Sequence, residues 1–155
     1  DGRMHLTRDG GKSWSEITKG LHPKRWVSKV AASAFDEGTV YAAQNGKRDD
    51  DVAPYIWKST DFGATWKSIV GNIPLGPVNV IAEDPTDART LYAGTDIGVY
   101  VTLDGGATWN VLGGNLPSTY VHDIVIHPRD RVIVAATHGR GMWVLDAVPV
   151  QTSKR

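Results

Sequence analysis

Short runs of β-branched and aromatic residues, separated by turns rich in Gly, Pro and Asp, recur along the chain in a fixed order. Within one repeat unit four such runs follow one another, at residues 27–33, 39–43, 55–58 and 66–70. Val, Ile, Tyr and Trp favour strands, and no stretch keeps an apolar period of 3.6 residues. The pattern therefore predicts four short strands per unit, named A to D in chain order, and almost no helix.

The four-run order repeats, which indicates a repeat architecture. Two complete units occupy residues 27–70 and 78–112, strands C and D of an earlier unit precede them, and strands A to C of a last unit cover 121–146. Four antiparallel strands every ~40–50 residues are typical of a propeller blade. We therefore expect an all-β fold, a β-propeller fragment of about three to four blades and 13 strands within residues 1–146, with a tail or linker at 147–155.

An eight-residue motif, Ser/Thr-x-Asp-x-Gly-x-Thr/Ser-Trp, occurs three times at the predicted turn from strand C to strand D. We call these turns boxes 1, 2 and 3. Their Asp, Gly and Trp positions are Asp9, Gly11 and Trp14, then Asp61, Gly63 and Trp66, and finally Asp104, Gly106 and Trp109. The spacing from box 1 to box 2 is the longer one because residues 46–54 are additional.

Each specified position of the box has a role in folding. The Asp side chain accepts local backbone N–H groups, the Gly supplies a positive φ, and the Thr or Ser hydroxyl closes a second hydrogen bond. The Trp is expected to bury its ring between neighbouring sheets. The alternative is carboxylate catalysis or calcium binding by the Asp residues. Three identical sites around a ring cannot all be one active site, so we interpret the boxes as structural.

Composition narrows the classes of function. Lys plus Arg and Asp plus Glu balance at 17 each, without the clustered basic excess of a nucleic-acid-binding surface. No apolar run approaches the ~20 residues of a membrane span, and there is no cysteine for a disulfide or a thiolate metal site. His122 and His127 lie on one predicted strand at an odd spacing and so point to opposite faces. We expect no nucleic-acid partner, no membrane span, no metal site and no cofactor.

The boxes, together with residues 91–94 (Leu-Tyr-Ala-Gly) and 105–109 (Gly-Gly-Ala-Thr-Trp), resemble those of the BNR/Asp-box repeat proteins. That superfamily of β-propellers includes sialidases, xyloglucan-cleaving glycoside hydrolases, sortilin-type receptors and photosystem assembly propellers. Residues 136–146 resemble the last blade of large bacterial propellers of this group. The resemblance implies an extracellular or periplasmic protein. It also implies partners that close the ring, either the remainder of a parent chain or further copies of this one.

The resemblance places a ligand site on the face opposite the boxes. The loops expected there are residues 19–26, 45–54, 71–77, 95–97, 113–120 and 138–140. The additional residues 46–54 are interpreted as a solvated charged loop, with a functional insertion as the alternative. Candidate ligand-binding residues are Trp26 and Tyr120, which could stack on sugar rings, Arg140, which suits a carboxylate or phosphate, and also Asp96 and His138.

Two classes of function stay open. We prefer a non-catalytic scaffold for binding or assembly, with a glycan or a protein as ligand. The alternative is part of a sialidase- or xyloglucanase-like glycoside hydrolase whose other catalytic residues lie outside this chain. Tyr41 and Tyr92 occupy repeat positions on strand B and are expected in the core, not as nucleophiles. An inverting hydrolase needs two carboxylates ~6.5–9.5 Å apart, and the sequence singles out no pair among Asp96, Asp123 and residues 49–51.

Overall fold

The computed structural model describes residues 2–153 and has an all-β architecture. The described residues form 13 strands in four antiparallel sheets, two with four strands, one with three and one with two. This confirms the predicted fold class, including the number of strands and the small amount of helix. No helix in the described part of the chain is long and apolar enough to cross a membrane.

The strands follow chain order within each sheet. A half blade consists of β1 (His5–Leu6) and β2 (Ser15–Glu16). Blade 1 consists of β3 (Trp26–Ala32), β4 (Val40–Gly46), β5 (Asp51–Ser59) and β6 (Lys67–Ser68), with a 3-10 turn at Lys47–Asp49. Blade 2 consists of β7 (Val78–Asp84), β8 (Asp87–Thr95), β9 (Gly98–Thr102) and β10 (Asn110–Leu112). Blade 3 consists of β11 (Val121–His127), β12 (Val132–Thr137) and β13 (Met142–Asp146), and a short helix α1 (Val148–Gln151) follows it.

Each complete blade is an antiparallel meander in the order A, B, C, D. The inner side of the arc is formed by the A strands, since β7 contacts both β3 and β11. Successive turns of a meander alternate between its two ends. The boxes therefore lie at one rim, and the D–A and B–C turns lie at the opposite rim, which we call the upper face.

The apolar core lies between successive sheets. One cluster joins blade 1 to blade 2 and includes Tyr41, Ile81 and Trp109. A second cluster joins blade 2 to blade 3 and includes Tyr92 and Ile133. Tyr41 and Tyr92 are buried, as their repeat positions predict. Since a sheet buries both faces only when it has a neighbour on each side, stacking of blades is what stabilises this fold.

The face of blade 1 that looks toward the half blade exposes residues that the repeat buries elsewhere. Val30, Ile81 and Ile124 are equivalent, because each lies opposite an alanine of strand B, namely Ala42, Ala93 or Ala135. Val30 is 48% exposed, whereas Ile81 and Ile124 are 0% and 3% exposed.

Trp14, in the box of the half blade, is 61% exposed, and the expectation that its ring is buried between sheets is wrong. Within residues 2–153 there is no earlier complete blade to cover it.

The residues after β13 pack on the last blades, in contrast to the tail or linker expected there. Ala147 is fully buried in the cluster between blades 2 and 3. Gln151 accepts a 2.6 Å hydrogen bond from Arg131 Nε and donates bonds of 3.2 and 3.0 Å to the Asp84 carboxylate. Residues 147–151 therefore close this interface at the A–B turns.

Candidate functional site

The three boxes share one hydrogen-bond pattern. In box 2, Ser59 Oγ donates to Asp61 Oδ1 (2.7 Å) and accepts from Gly63 N (2.8 Å). Asp61 Oδ1 accepts from Thr65 N at 2.9 Å, and Oδ2 accepts from Thr65 Oγ1 at 2.6 Å. Boxes 1 and 3 repeat these bonds around Asp9 and Asp104. The Asp carboxylate thus bonds to the residue four positions later in the chain. Two consecutive residues with a positive φ lie between them.

Local donors hold the box carboxylates in the ionised form. The hydroxyl hydrogen bond from Thr65 or Thr108, followed by the backbone N–H of the same residue, lowers the pKa of Asp61 and of Asp104 to about 2. The equivalent bonds from Ser13 lower the pKa of Asp9 to about 2. Both carboxylate oxygens of each box Asp accept hydrogen bonds within the turn, so this geometry fits the structural interpretation of the boxes.

A cleft of about 470 Å³ lies at the upper face, between blades 1 and 3. Its walls carry aromatic rings, amides and basic groups, and its lining residues are Trp26, Asn45, Lys47, Arg48, Tyr120, His122 and His138. Trp26 begins β3, Tyr120 immediately precedes β11, and His138 follows β12. The structure thus brings three of the five candidate residues together from loops far apart in sequence.

One wall of the cleft is a cluster of Tyr120, His122 and His138. The Tyr120 and His122 ring centroids are 4.4 Å apart, and His122 Nε2 lies 3.3 Å from His138 Nδ1. The backbone N–H of His138 donates to the Tyr120 carbonyl at 2.9 Å, which fixes the β12–β13 turn against the start of β11. His122 was not a candidate from the sequence, because the sequence does not show that the β12–β13 turn brings His138 back to it.

The opposite wall carries Lys47 and Arg48. Lys47 Nζ forms a 2.7 Å ion pair with Asp96 and lies 5.0 Å from the centroid of the Tyr120 ring. That hydrogen bond with Asp96 is the main reason why the pKa of Lys47 is raised. The Arg48 guanidinium lies 5.2 Å from the centroid of the Trp26 ring.

Asp96 supports the cleft from behind and does not line it. Asn45 Nδ2 donates to Asn79 Oδ1 at 2.7 Å, and Asn79 Nδ2 donates to Asp96 Oδ1 at 3.0 Å. Because Asp96 Oδ2 holds Lys47, this chain of bonds positions the ammonium at the cleft wall. Arg140 does not line the cleft either. Its backbone carbonyl accepts the Trp143 indole N–H at 3.1 Å, within the exposed β12–β13 turn.

The additional residues 46–54 form an ordered extension of blade 1, and its charged tip, residues 47–50, is exposed as expected for a solvated loop. β4 runs to Gly46, the 3-10 turn follows, and β5 begins at Asp51. Asp51 Oδ2 accepts from Arg25 Nε at 2.7 Å and from the Tyr55 hydroxyl at 2.7 Å. The Tyr55 bond is the largest reason why the pKa of Asp51 falls to about 2. The extension places Lys47 and Arg48, which were not among the five candidate ligand-binding residues, on the cleft.

Four of the five candidate catalytic carboxylates, all except Asp50, have a cation beside them. Asp96 pairs with Lys47, and both Asp49 and Asp51 pair with Arg25, at 3.3 and 2.7 Å. Asp123 pairs at 2.8 Å with Lys29, so that this ion pair joins the A strands of blades 1 and 3. Among the described residues, no three His, Asp or Glu side chains are grouped so that they could hold a metal ion.

Comparisons with known proteins give the fold but no family. No protein-family model and no curated protein matches the chain. The chain is similar to a solved structure of an ancestral GH74 enzyme, with a TM-score of 0.67 and 20% identity over 88% of the chain. For the GH74 enzyme from Niastella koreensis, the TM-score is 0.71 and the identity 18% over 96% of the chain. YCF48 bound to a D1 peptide gives a TM-score of 0.64 and 21% identity over 93% of the chain.

The chain is much shorter than these proteins. It spans 19% of the ancestral GH74 enzyme, 25% of the Niastella enzyme and 43% of YCF48. The likeness to propellers, together with the half blade and the three-stranded last blade, agrees with a chain that covers part of a propeller. At these levels of identity the comparisons carry no information about the residues of the site.

Proposed function

We propose that the chain is a segment of a BNR/Asp-box β-propeller that binds a ligand at its upper face and has no catalytic machinery of its own. The observation that carries the proposal is the convergence of Trp26, Tyr120 and His138, from blades 1 and 3, on one cleft. Ligand sites are concave, with aromatic surface and a few convergent polar groups. Aromatic faces stack on sugar rings and on peptide side chains, so the ligand is a glycan or a polypeptide segment. An extracellular or periplasmic location stays a prediction from the resemblance.

The proposal includes partners that complete the ring. An apolar groove of about 490 Å³, lined among others by Val27, Val30, Val40 and Phe62, lies where strands A and B of the preceding blade would pack. Trp14 is exposed on the half blade itself, at the position where Trp66 and Trp109 contact the blade before their own. The remainder of a parent chain is the preferred source of these strands, and further copies of this chain are the alternative.

A second candidate is that the segment belongs to a glycoside hydrolase. The GH74 neighbours in fold favour it, among them a xyloglucanase from Xanthomonas campestris with a TM-score of 0.69 and 13% identity. Against it, a general acid needs a raised pKa, whereas the pKa of Asp51 is lowered and Asp96 lies against a lysine. The catalytic pair of carboxylates of such an enzyme would therefore lie outside this chain. The YCF48 structure makes a peptide an equally reasonable ligand to test.

Binding is tested with the whole chain and its Trp26→Ala and Tyr120→Ala variants. A xyloglucan oligosaccharide and a synthetic peptide library serve as probes, and the indole N–H resonance of Trp26 is followed by NMR. Saturable shifts of Trp26 that vanish in Tyr120→Ala, together with calorimetric binding of the probe that is lost in Trp26→Ala, support the cleft. Trp14→Ala is the matched control, because Trp14 is an exposed tryptophan at the box rim. The proposed site is wrong if no probe shifts Trp26. Release of reducing ends from xyloglucan would overturn the non-catalytic assignment in favour of the hydrolase.

A further inference from the structure

The lining of the upper-face cleft has an uneven charge. Four of its side chains are cationic or can become so, namely Lys47, Arg48, His122 and His138. None of the described residues lining it is an aspartate or glutamate. Asp96, which lies behind Lys47, uses one oxygen for that ammonium and the other for Asn79. The surface that a ligand would meet is therefore basic, although the chain as a whole has no net charge.

The two histidines share one hydrogen bond. At 3.3 Å, one of the facing nitrogens, His122 Nε2 or His138 Nδ1, must carry the proton and the other must accept it. The outer nitrogens, His122 Nδ1 and His138 Nε2, do not take part in this bond. The ring that accepts this bond has its own proton on its outer nitrogen, where it can donate to an anionic ligand.

The groups around this pair favour an anion as well. The Tyr120 ring contacts the His122 ring at a tilt and offers a hydroxyl, and Asp123, the next residue on β11, is neutralised by Lys29. Lys47 keeps two of its three N–H donors after its bond to Asp96. Arg48 lies over the Trp26 ring, and no described carboxylate lies within ion-pair distance of its guanidinium. Its planar fork suits a carboxylate or a phosphate.

Building on the proposed function, we infer that the cleft takes an anionic ligand. Its carboxylate or phosphate group lies between the His122–His138 pair and the Lys47–Arg48 wall. The uncharged part of the ligand packs on Trp26 and Tyr120. The basic lining of the cleft therefore favours acidic ligands over neutral ones of the same shape.

The experiment uses glucuronate, its neutral counterpart glucose, and inorganic phosphate as probes of the whole chain. Dissociation constants are measured by NMR, from the Trp26 indole and the histidine ring resonances. We expect glucuronate or phosphate to bind about tenfold more tightly than glucose, since the lining supplies charge-assisted hydrogen bonds that a neutral sugar does not use. Binding of phosphate but not glucuronate assigns the acidic group as phosphate, and the reverse assigns a carboxylate.

Two variants test the groups assigned. His138→Gln and Arg48→Gln should each weaken binding of the acidic probes about tenfold and leave the weak binding of glucose unchanged. His127→Gln is the matched control, because His127 lies at the far end of β11 beside Asp130. If the xyloglucan oligosaccharide binds through Trp26 while both acidic probes bind no better than glucose, the anionic ligand is wrong and the proposed site stands. If none of these probes shifts Trp26, the proposed site itself is wrong.

Discussion

The indole N–H of Trp109 donates a 2.9 Å hydrogen bond to the backbone carbonyl of Ile69 in the preceding blade. Trp66 forms the same bond, at 2.8 Å, with the carbonyl of Ile17 in the half blade. Boxes 2 and 3 thus stabilise their own turns and also bind their blades to the ones before. Within residues 2–153, Trp14 has no earlier blade to contact.

The first prediction compares two tryptophans at the same motif position. Trp109→Ala should lower the free energy of unfolding by about 3–5 kcal/mol, because it empties a buried site between blades and removes the bond to Ile69. Trp14→Ala should change it by less than about 0.5 kcal/mol, because that ring is exposed. Urea unfolding of both variants gives the values. Equal losses for the two would contradict the packing role assigned to Trp109.

The second prediction uses the box glycines in the same way. A Cβ at Gly106 would lie 2.7 Å from Ile69 Cβ, whereas a Cβ at Gly11 meets no atom within 4 Å. Both glycines have a positive φ, +96° and +91°, so alanine costs each about 1–2 kcal/mol of backbone strain. Gly106→Ala should cost about 1–3 kcal/mol more from overpacking against blade 1. Thermal unfolding measures the difference, and its absence would mean that the blades separate easily at this contact.

The third prediction concerns the box carboxylates. The Thr108 hydroxyl is the largest contributor to the low pKa of Asp104, so Thr108→Val should raise that pKa above about 2. A carboxyl pKa that is lower in the folded than in the unfolded chain stabilises the fold at pH values above about 4. That contribution is lost as the pH falls from about 4 to about 2, and the variant should lose less of it.

Carbon-13 NMR titration of the Asp104 carboxyl provides the measurement. Asp61 of box 2 is the internal control, since its donor Thr65 is unchanged and its pKa should stay at about 2. An unchanged titration of Asp104 in Thr108→Val would show that the backbone N–H groups alone set its acidity.

The fourth prediction concerns the extension that carries Lys47 and Arg48. Asp51→Asn removes the ion pair with Arg25 and weakens the bond from Tyr55, so residues 46–54 should open more often. Amide hydrogen exchange there should accelerate about tenfold, as expected for the loss of a partly buried charged hydrogen bond. Asp50→Asn is the control, because Asp50 is exposed and asparagine tolerates its left-handed conformation. Equal exchange in the two variants would show that the ion pair does not hold the extension in place.

The blade order and the boxes could be predicted because their signals are local. A box places its donors and acceptors within eight residues, and the strand runs recur with their turns. The burial of Trp14 was predicted wrongly because it depends on strands that lie outside the described residues. The motif identifies the tryptophan but does not show whether a neighbouring blade is present to cover it.

The composition of the upper-face cleft was only partly predictable. Trp26, Tyr120 and His138 were candidates from their loops, but Lys47 and Arg48 depend on how far β4 and β5 extend through residues 46–54. The meeting of His122 with His138 depends on the path of the β12–β13 turn, which the sequence does not specify. The same turn keeps Arg140 off the cleft lining.

The Lys29–Asp123 ion pair has a consequence for what can enter the cleft. It reaches from the first to the third inner strand and bypasses the second. Lys29 follows Trp26 along β3, and Asp123 comes directly after His122 on β11. The inner wall of the arc is therefore sharply curved just beyond the cleft, and a charged bridge crosses it there. A ligand would therefore bind through its end or through a side branch. A polymer that passed along the inner side of the arc would have to break this ion pair.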